Sequence, residues 1–342
     1  MLDKTRLAAI ADLISAQISI SGVEQYCAET GITKDDFMPI SPLSFHGGIF
    51  AVDGSNVVIC DWSVANLNRI RAGYAVYQGR EWQRTVITYD DVFMADKRSY
   101  IWQFKSYLKG IIDPGEFILK NEELDRLSTY FRELQEYIAL RGAIDEARLG
   151  DLVLYDGGFI WKERPFGKVL EKIFLEAEEK GVDLLGVSKS SSLSWGSEIQ
   201  RPFLQHTSFA GTVFAPGLPW YVRLKDKNVD LGPDRWDGEI YVVRLDGRSD
   251  HAFRVDAPSY ISDRIGSALG KLAAYSCSSE CLGYPHALFR AHRDIRITDQ
   301  EGASVRLQLL NLLGEKGSSE SQILGALLDY HDIIEMRPGR LL

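Results

Sequence analysis

Two aspartates close apolar, β-favouring runs, and each is followed by glycine. Asp53 ends Ile49-Phe50-Ala51-Val52-Asp53-Gly54-Ser55, and Asp156 ends Leu152-Val153-Leu154-Tyr155-Asp156-Gly157-Gly158. A buried strand fixes where such a carboxylate points, and the glycine lets the chain turn away closely. Two carboxylates on neighbouring strand ends can share divalent cations. That is the skeleton of metal-dependent phosphodiester hydrolysis. The competing reading of either residue is a turn aspartate, since Asp-Gly-Ser is a common hairpin sequence.

Other polar groups suit the same chemistry. Lys189 follows Gly186-Val187-Ser188 at a strand end and precedes Ser190-Ser191-Ser192. A lysine placed near two aspartates neutralises phosphate or positions water, and the serines add donors that hold phosphates. A solvated loop lysine is the alternative. Arg69, Arg71, Arg80 and Arg84 flank Tyr74, Tyr77 and Trp82, while Arg290, Arg293 and Arg296 surround His292. Arginine interleaved with aromatics suits single strands, whose bases stack while their phosphates pair; charge decoration of a sheet edge is the alternative.

The bulk composition limits these readings. The net charge is −9, which counts against a general nucleic-acid binder but leaves room for a nuclease with acid at a metal site and local basic patches. No apolar run approaches the ~20 residues of a membrane helix, and the N-terminus does not read as a signal peptide. Cys277 and Cys281 lie one helical turn apart, but no second Cys/His pair offers zinc spacing. Reduced thiols in a cytoplasmic protein are the better reading of the four cysteines.

The elements that must position these residues follow from periodicity. Leu7, Ile10, Leu13, Ile14 and Ile18 give residues 4–19 a helical period, and residues 23–38 continue as short helix with a turn near Gly31. Strands are expected from Ile49, at 57–62 as the hairpin partner of the Asp53 strand, at 70–78 and at 84–89, a run without helices that suggests an antiparallel meander. A helix over about 120–145 carries Leu124, Leu127, Tyr130, Phe131, Leu134 and Ile138 on its apolar stripe. The Asp156 strand follows, then a helix over 165–180 and a strand over 182–189. Strands at 211–223 and 238–246, and helices at 259–275, 286–293 and 318–334, complete the expectation. The order predicts an α/β fold with a ribonuclease H-like mixed sheet flanked by helices. Residues 1–45 would form an N-terminal helical arm, 46–300 the nuclease domain and 301–342 a C-terminal helical extension.

The chain resembles the NurA family of nucleases. The matching residues are Val52-Asp53-Gly54-Ser55, Leu154-Tyr155-Asp156-Gly157, Val187-Ser188-Lys189, Tyr284-Pro285 and Ala291-His292, spread over about residues 46–297. Phe159 after the glycine pair is a mild departure from the family pattern. The resemblance implies a manganese- or magnesium-dependent DNase, a 5′–3′ exonuclease and single-strand endonuclease. It also implies a homodimer that works with a HerA-type hexameric translocase in DNA-end resection. Asp53 and Asp156 become metal ligands. The family's third acid, a glutamate on the preceding helix, matches Glu136, with Glu133 as the alternate; the more apolar surroundings of Glu136 favour it. His292 becomes a metal ligand or a general acid/base, and Tyr284 a phosphate or ligand contact. Two rivals stand beside this reading: a non-catalytic partner of the translocase, and a ribonuclease H-like nuclease acting on RNA.

Overall fold

The computed structural model describes residues 4–18, 22–62, 65–96, 100–115, 124–159, 166–197, 199–231, 236 and 238–319. The chain opens with helices α1 (Lys4–Ile18) and α2 (Val23–Thr30), then a short strand β1 (Met38–Pro39). Three long strands follow: β2 (Gly48–Trp62), β3 (Ala65–Gln78) and β4 (Glu81–Asp96). Helices α3 (Tyr100–Leu108) and α4 (Leu124–Glu146) lead to β5 (Leu152–Asp156), α5 (Gly167–Lys180) and β6 (Asp183–Ser188). The short strands β7 (Ser194–Trp195) and β8 (Arg201–Pro202) precede α6 (Phe203–Phe214), β9 (Trp220–Arg223), β10 (Glu239–Arg244) and β11 (Phe253–Ala257). Helices α7 (Ile265–Ala274), α8 (His286–Ile295) and α9 (Asp299–Glu315) close the described chain.

Nine strands hydrogen-bond in the order β1-β9-β10-β11-β6-β5-β2-β3-β4, and β7 pairs separately with β8. The sheet is mixed, as expected for a ribonuclease H-like α/β fold. β5 and β6 run parallel, Asp156 opposite Val187, and α5 supplies the crossover that parallel neighbours require. β6, β11, β10, β9 and β1 pair antiparallel in turn. β3 passes into β4 through Gly79-Arg80 alone, a connection that only antiparallel strands allow.

Backbone contacts gather the chain into two units. The first holds Met1–Ala51, Ala75–Arg84 and Ala143–Arg290; the second holds Val52–Tyr74, Thr85–Gly142 and Ala291–Leu342. The core of the first is built on β5 and β6, which are buried on both faces and so read as continuous apolar runs. Val169, Leu170, Ile173 and Ala177 of α5 are its buried stripe. In the second, Phe131 of α4 stacks on Phe93 of β4 at 4.2 Å and meets Phe104 of α3 edge-on at 5.3 Å. Tyr89 and Tyr107 complete this aromatic cluster, which fixes the rotation of α4. Val305, Leu309 and Leu310 of α9 pack on Ile59 and Cys60 of β2.

Two expectations are corrected. Residues 49–62 are one strand, not a hairpin, so Asp53-Gly54-Ser55 is strand interior. Residues 211–214 end helix α6, and the strand begins only at Trp220. Helix α9 and strand β11 were not foreseen, and nor were α3 and α6. The expected 318–334 helix lies outside the described residues from 320 onward. Among the described residues no helix is long and apolar enough to cross a membrane. All four cysteines are free.

Candidate functional site

In the second unit the site starts at Asp53. Its strand is buried through Phe50, Ala51 and Val52, and Asp53 itself is only 7% exposed. Oδ1 accepts the Gly54 amide at 2.8 Å, and His292 Nδ1 lies 3.0 Å from Oδ2. A carboxylate only accepts, so Nδ1 is the donor in this pair. Two residues on, Ser55 Oγ accepts the Ile297 amide at 3.0 Å. The chain leaving α8 is thereby pinned to the strand that bears Asp53.

Gly54 does not turn the chain. A Cβ there would overlap the Glu136 carboxylate, so glycine is what lets α4 bring Glu136 against β2 beside Asp53. Glu136 and Glu133 are 3% and 4% exposed. Two i,i+4 pairs hold them. Arg132 Nη1 donates to Glu136 Oε1 at 2.6 Å, and Tyr137 Oη donates to Glu133 Oε1 at 2.6 Å. Of the two glutamates, Glu136 is the one set against Gly54.

In the first unit Asp156 ends β5. Lys189 Nζ donates to its Oδ2 at 2.6 Å, and Tyr284 Oη donates to its Oδ1 at 3.2 Å. The Lys189 ammonium also stands 5.3 Å from the centre of the Tyr284 ring, within cation–π reach. The predicted strand-end lysine is thus an ion-pair partner of the strand-end aspartate. Tyr284 is brought there by the turn that precedes α8, and its ring leans on Phe253 at 5.4 Å.

Most of the expected basic-aromatic surface has other work. Arg69 and Arg71 bind Asp90 and Glu301, and Arg84 pairs with Glu146. Tyr74 and Tyr77 are buried. Arg80 donates to Ala274 O at 3.3 Å, and Trp82 is exposed, with the Arg290 guanidinium 4.3 Å from its ring centre. Arg293 and Arg296 are exposed near His292. The sequence reading did not single out Arg132, Tyr137, Arg254 or Asp256. A visible signal existed: Arg132/Glu136 and Glu133/Tyr137 are spaced i,i+4 on a helix, and Arg254/Asp256 are i,i+2 on a strand.

No protein-family model matches the sequence, and no curated protein matches it. Solved structures do. The NurA nuclease from Sulfolobus solfataricus superposes with a TM-score of 0.50 at 14% identity, over 98% of this chain and 96% of that one. The chain has the fold of a NurA nuclease. A second NurA structure matches with a TM-score of 0.40 at 12% identity, over 91% of this chain and 98% of that one. Endonuclease V of Ciona intestinalis, in complex with a 24mer DNA containing an inosine followed by a ribo-adenosine, matches at 0.36 and 14% identity, over 84% of this chain and 95% of that one.

Proposed function

We propose that this protein is a divalent-metal-dependent deoxyribonuclease. The observation that carries the reading is the grouping in the second unit. Asp53 and Glu136, both nine-tenths or more buried, meet at Gly54, and His292 stands on Asp53. Carboxylate oxygens are the donors that Mn²⁺ and Mg²⁺ accept, and Mn²⁺, the softer of the two, also takes an imidazole nitrogen. In the first unit Asp156 already pairs with a cation, the Lys189 ammonium.

In this reading Asp53, Glu136, Asp156 and His292 hold the metal, with Glu133 as the alternate. When bound, the ion lowers the pKa of water and polarises the scissile phosphate. The protein's own groups do the rest. Asp53 fixes the tautomer of His292, so Nε2 is the atom that would bind the ion or, with His292 off the ion, take or give a proton during hydrolysis. Lys189, more than two-fifths exposed at its side chain, swings between Asp156 and an incoming phosphate oxygen, offsetting negative charge at both. Tyr284 donates to Asp156 and keeps that carboxylate aimed while Lys189 moves. Arg132 holds Glu136 in its buried seat.

The finer reading follows the NurA resemblance. The substrate is a DNA end or single strand, cut with 5′–3′ polarity, and the protein works as a homodimer with a HerA-type translocase. The test is cleavage of 5′- and 3′-labelled single- and double-stranded DNA, and of RNA, in Mn²⁺, Mg²⁺ or EDTA. Wild type and Asp53→Asn are compared. Metal-dependent DNA cleavage lost in the variant supports the proposal. Full cleavage by Asp53→Asn overturns it, and preferential cleavage of RNA overturns the substrate class.

A further inference from the structure

The turn that follows Asp156 is fastened from β11. Arg254 and Asp256 are two apart on that strand and so share a face. They are 1% and 0% exposed. Arg254 Nε donates to Asp256 Oδ1 at 2.7 Å, and Nη2 donates to Oδ2 at 2.9 Å. Asp256 Oδ2 also accepts the Phe159 amide at 2.9 Å, three residues beyond Asp156. Gly158 lies directly on the pair: a Cβ there would stand 2.9 Å from Asp256 Oδ2 and 3.7 Å from Arg254 Cζ. The Phe159 ring is buried among Tyr155, Phe174 and Trp236. From the other side, the Gly157 amide donates to Val187 O at 3.0 Å.

Burying two charges is costly, and an apolar pair of similar volume is commonly as stable or more so. Stability alone therefore gives little reason for an arginine and an aspartate here. Their placement gives another. The pair reaches the backbone of the one turn whose first residue is Asp156.

We propose that Arg254 and Asp256 are positioning residues that hold the Asp156-Gly157-Gly158-Phe159 turn, so that the Asp156 carboxylate faces a bound divalent cation. The inference rests on the reading of Asp156 as a ligand. It predicts that the pair governs metal affinity independently of folding stability.

The test measures Mn²⁺ binding by electron paramagnetic resonance or calorimetry, together with Tm and cleavage rate. Wild type, Asp156→Ala, the double variant Arg254→Met/Asp256→Leu, and Gly158→Ala are compared. The double variant removes the acceptor for the Phe159 amide without leaving a lone buried charge. It is expected to stay folded, with Tm lowered only by the unpaired Phe159 amide, while Mn²⁺ affinity weakens about 10–100-fold. Gly158→Ala pushes the turn off an intact pair and is expected to weaken affinity in the same direction, which keeps the test open should the double variant fail to fold. Wild-type Mn²⁺ affinity in a folded double variant or in Gly158→Ala, with Asp156→Ala weakened, overturns the inference alone. Equal Mn²⁺ binding by wild type and Asp156→Ala overturns the ligand reading of Asp156 and the inference with it.

Discussion

At the scale of single residues, the two glutamates of α4 separate cleanly by what they touch. Glu136 is set against Gly54 and bound by Arg132, whereas Glu133 is bound by Tyr137 one turn away. Replacing Glu136 by Gln should remove a ligand and reduce cleavage on the order of 100-fold or more, the scale of losing one catalytic group. Glu133→Gln should keep most of the activity and lower Tm, because Tyr137 Oη then donates to a weaker acceptor. Equal losses of kcat in the two variants would contradict the assignment. A second prediction isolates the close approach. Gly54→Ala forces its methyl into the Glu136 carboxylate while leaving Asp53 and His292 chemically intact. Overpacking of this kind costs about 1–3 kcal/mol. The variant should fold, lose cleavage, and need more Mn²⁺ for half-maximal activity. Unchanged activity would mean that Glu136 has no part in catalysis. Gly54 also shows where the sequence misleads. An Asp-Gly-Ser triplet reads as a turn, and nothing local says that a helix about 80 residues later needs the missing side chain.

At the scale of elements, α9 is docked by charge as well as by its apolar face. Thr298 and Glu301 form a capping box at its start, and Glu301 also binds Arg71 of β3. Asp90 of β4 accepts from Arg69 and Arg71 in the same network. The Thr298 amide, followed by Arg71, pulls the Glu301 carboxyl down from 4.5 to about 2. Burial pushes the Asp90 carboxyl up, but Arg69 and Arg71 outweigh it and hold it below its ordinary value. A carboxyl depressed in the folded chain stabilises above its unfolded pKa, and loses that contribution as pH falls through its folded pKa. Docking of α9 should therefore be complete at pH 5 and above and weaken from there toward about pH 2. Glu301 is about one-third exposed, so solvent screening keeps the gain on the order of 1 kcal/mol. Thermal melts of wild type and Glu301→Gln test this. Wild type should melt higher at pH 7, and the gap should close near pH 2 to 3; a gap that persists in acid would contradict it. Helix α9 was not foreseen although Thr298-Asp299-Gln300-Glu301 offers a Ser/Thr-x-x-Glu start. Strand β11 was hidden because Arg254 and Asp256 break its apolar run. Helix α6 was hidden by aromatic, β-branched and glycine residues that favour other states, and packing of Phe203, His206 and Ala210 overrides that preference.

At the scale of the whole molecule, the chain carries a net charge of −9 and yet has the fold of a nuclease. The strand that ends at Asp156, the α4 stripe and the β5-α5-β6 order were legible because periodic segments declare themselves. The loss of Arg69, Arg71 and Arg84 to internal ion pairs was not, because their pairing with Asp90, Glu301 and Glu146 is a tertiary fact. That loss decides how the protein should meet DNA. Each phosphate neutralised by lysine or arginine steepens the salt dependence of single-strand binding by about 0.7 in log–log slope. With Arg290, Arg293, Arg296 and Lys189 taken as the phosphate contacts, the slope should stay shallow, about 3 at most. The acids near Asp53 and Asp156 repel phosphate until a cation covers them. Anisotropy titrations of a labelled single strand should therefore show weak binding in EDTA and at least about tenfold tighter binding in Ca²⁺, an oxygen-seeking ion. Asp53→Asn should lose part of the Ca²⁺ effect, because one of the charges that calls for the ion is gone. Tight binding in EDTA with a steep salt slope would point instead to a basic DNA-binding surface among residues other than these, and the metal would then act in cleavage alone.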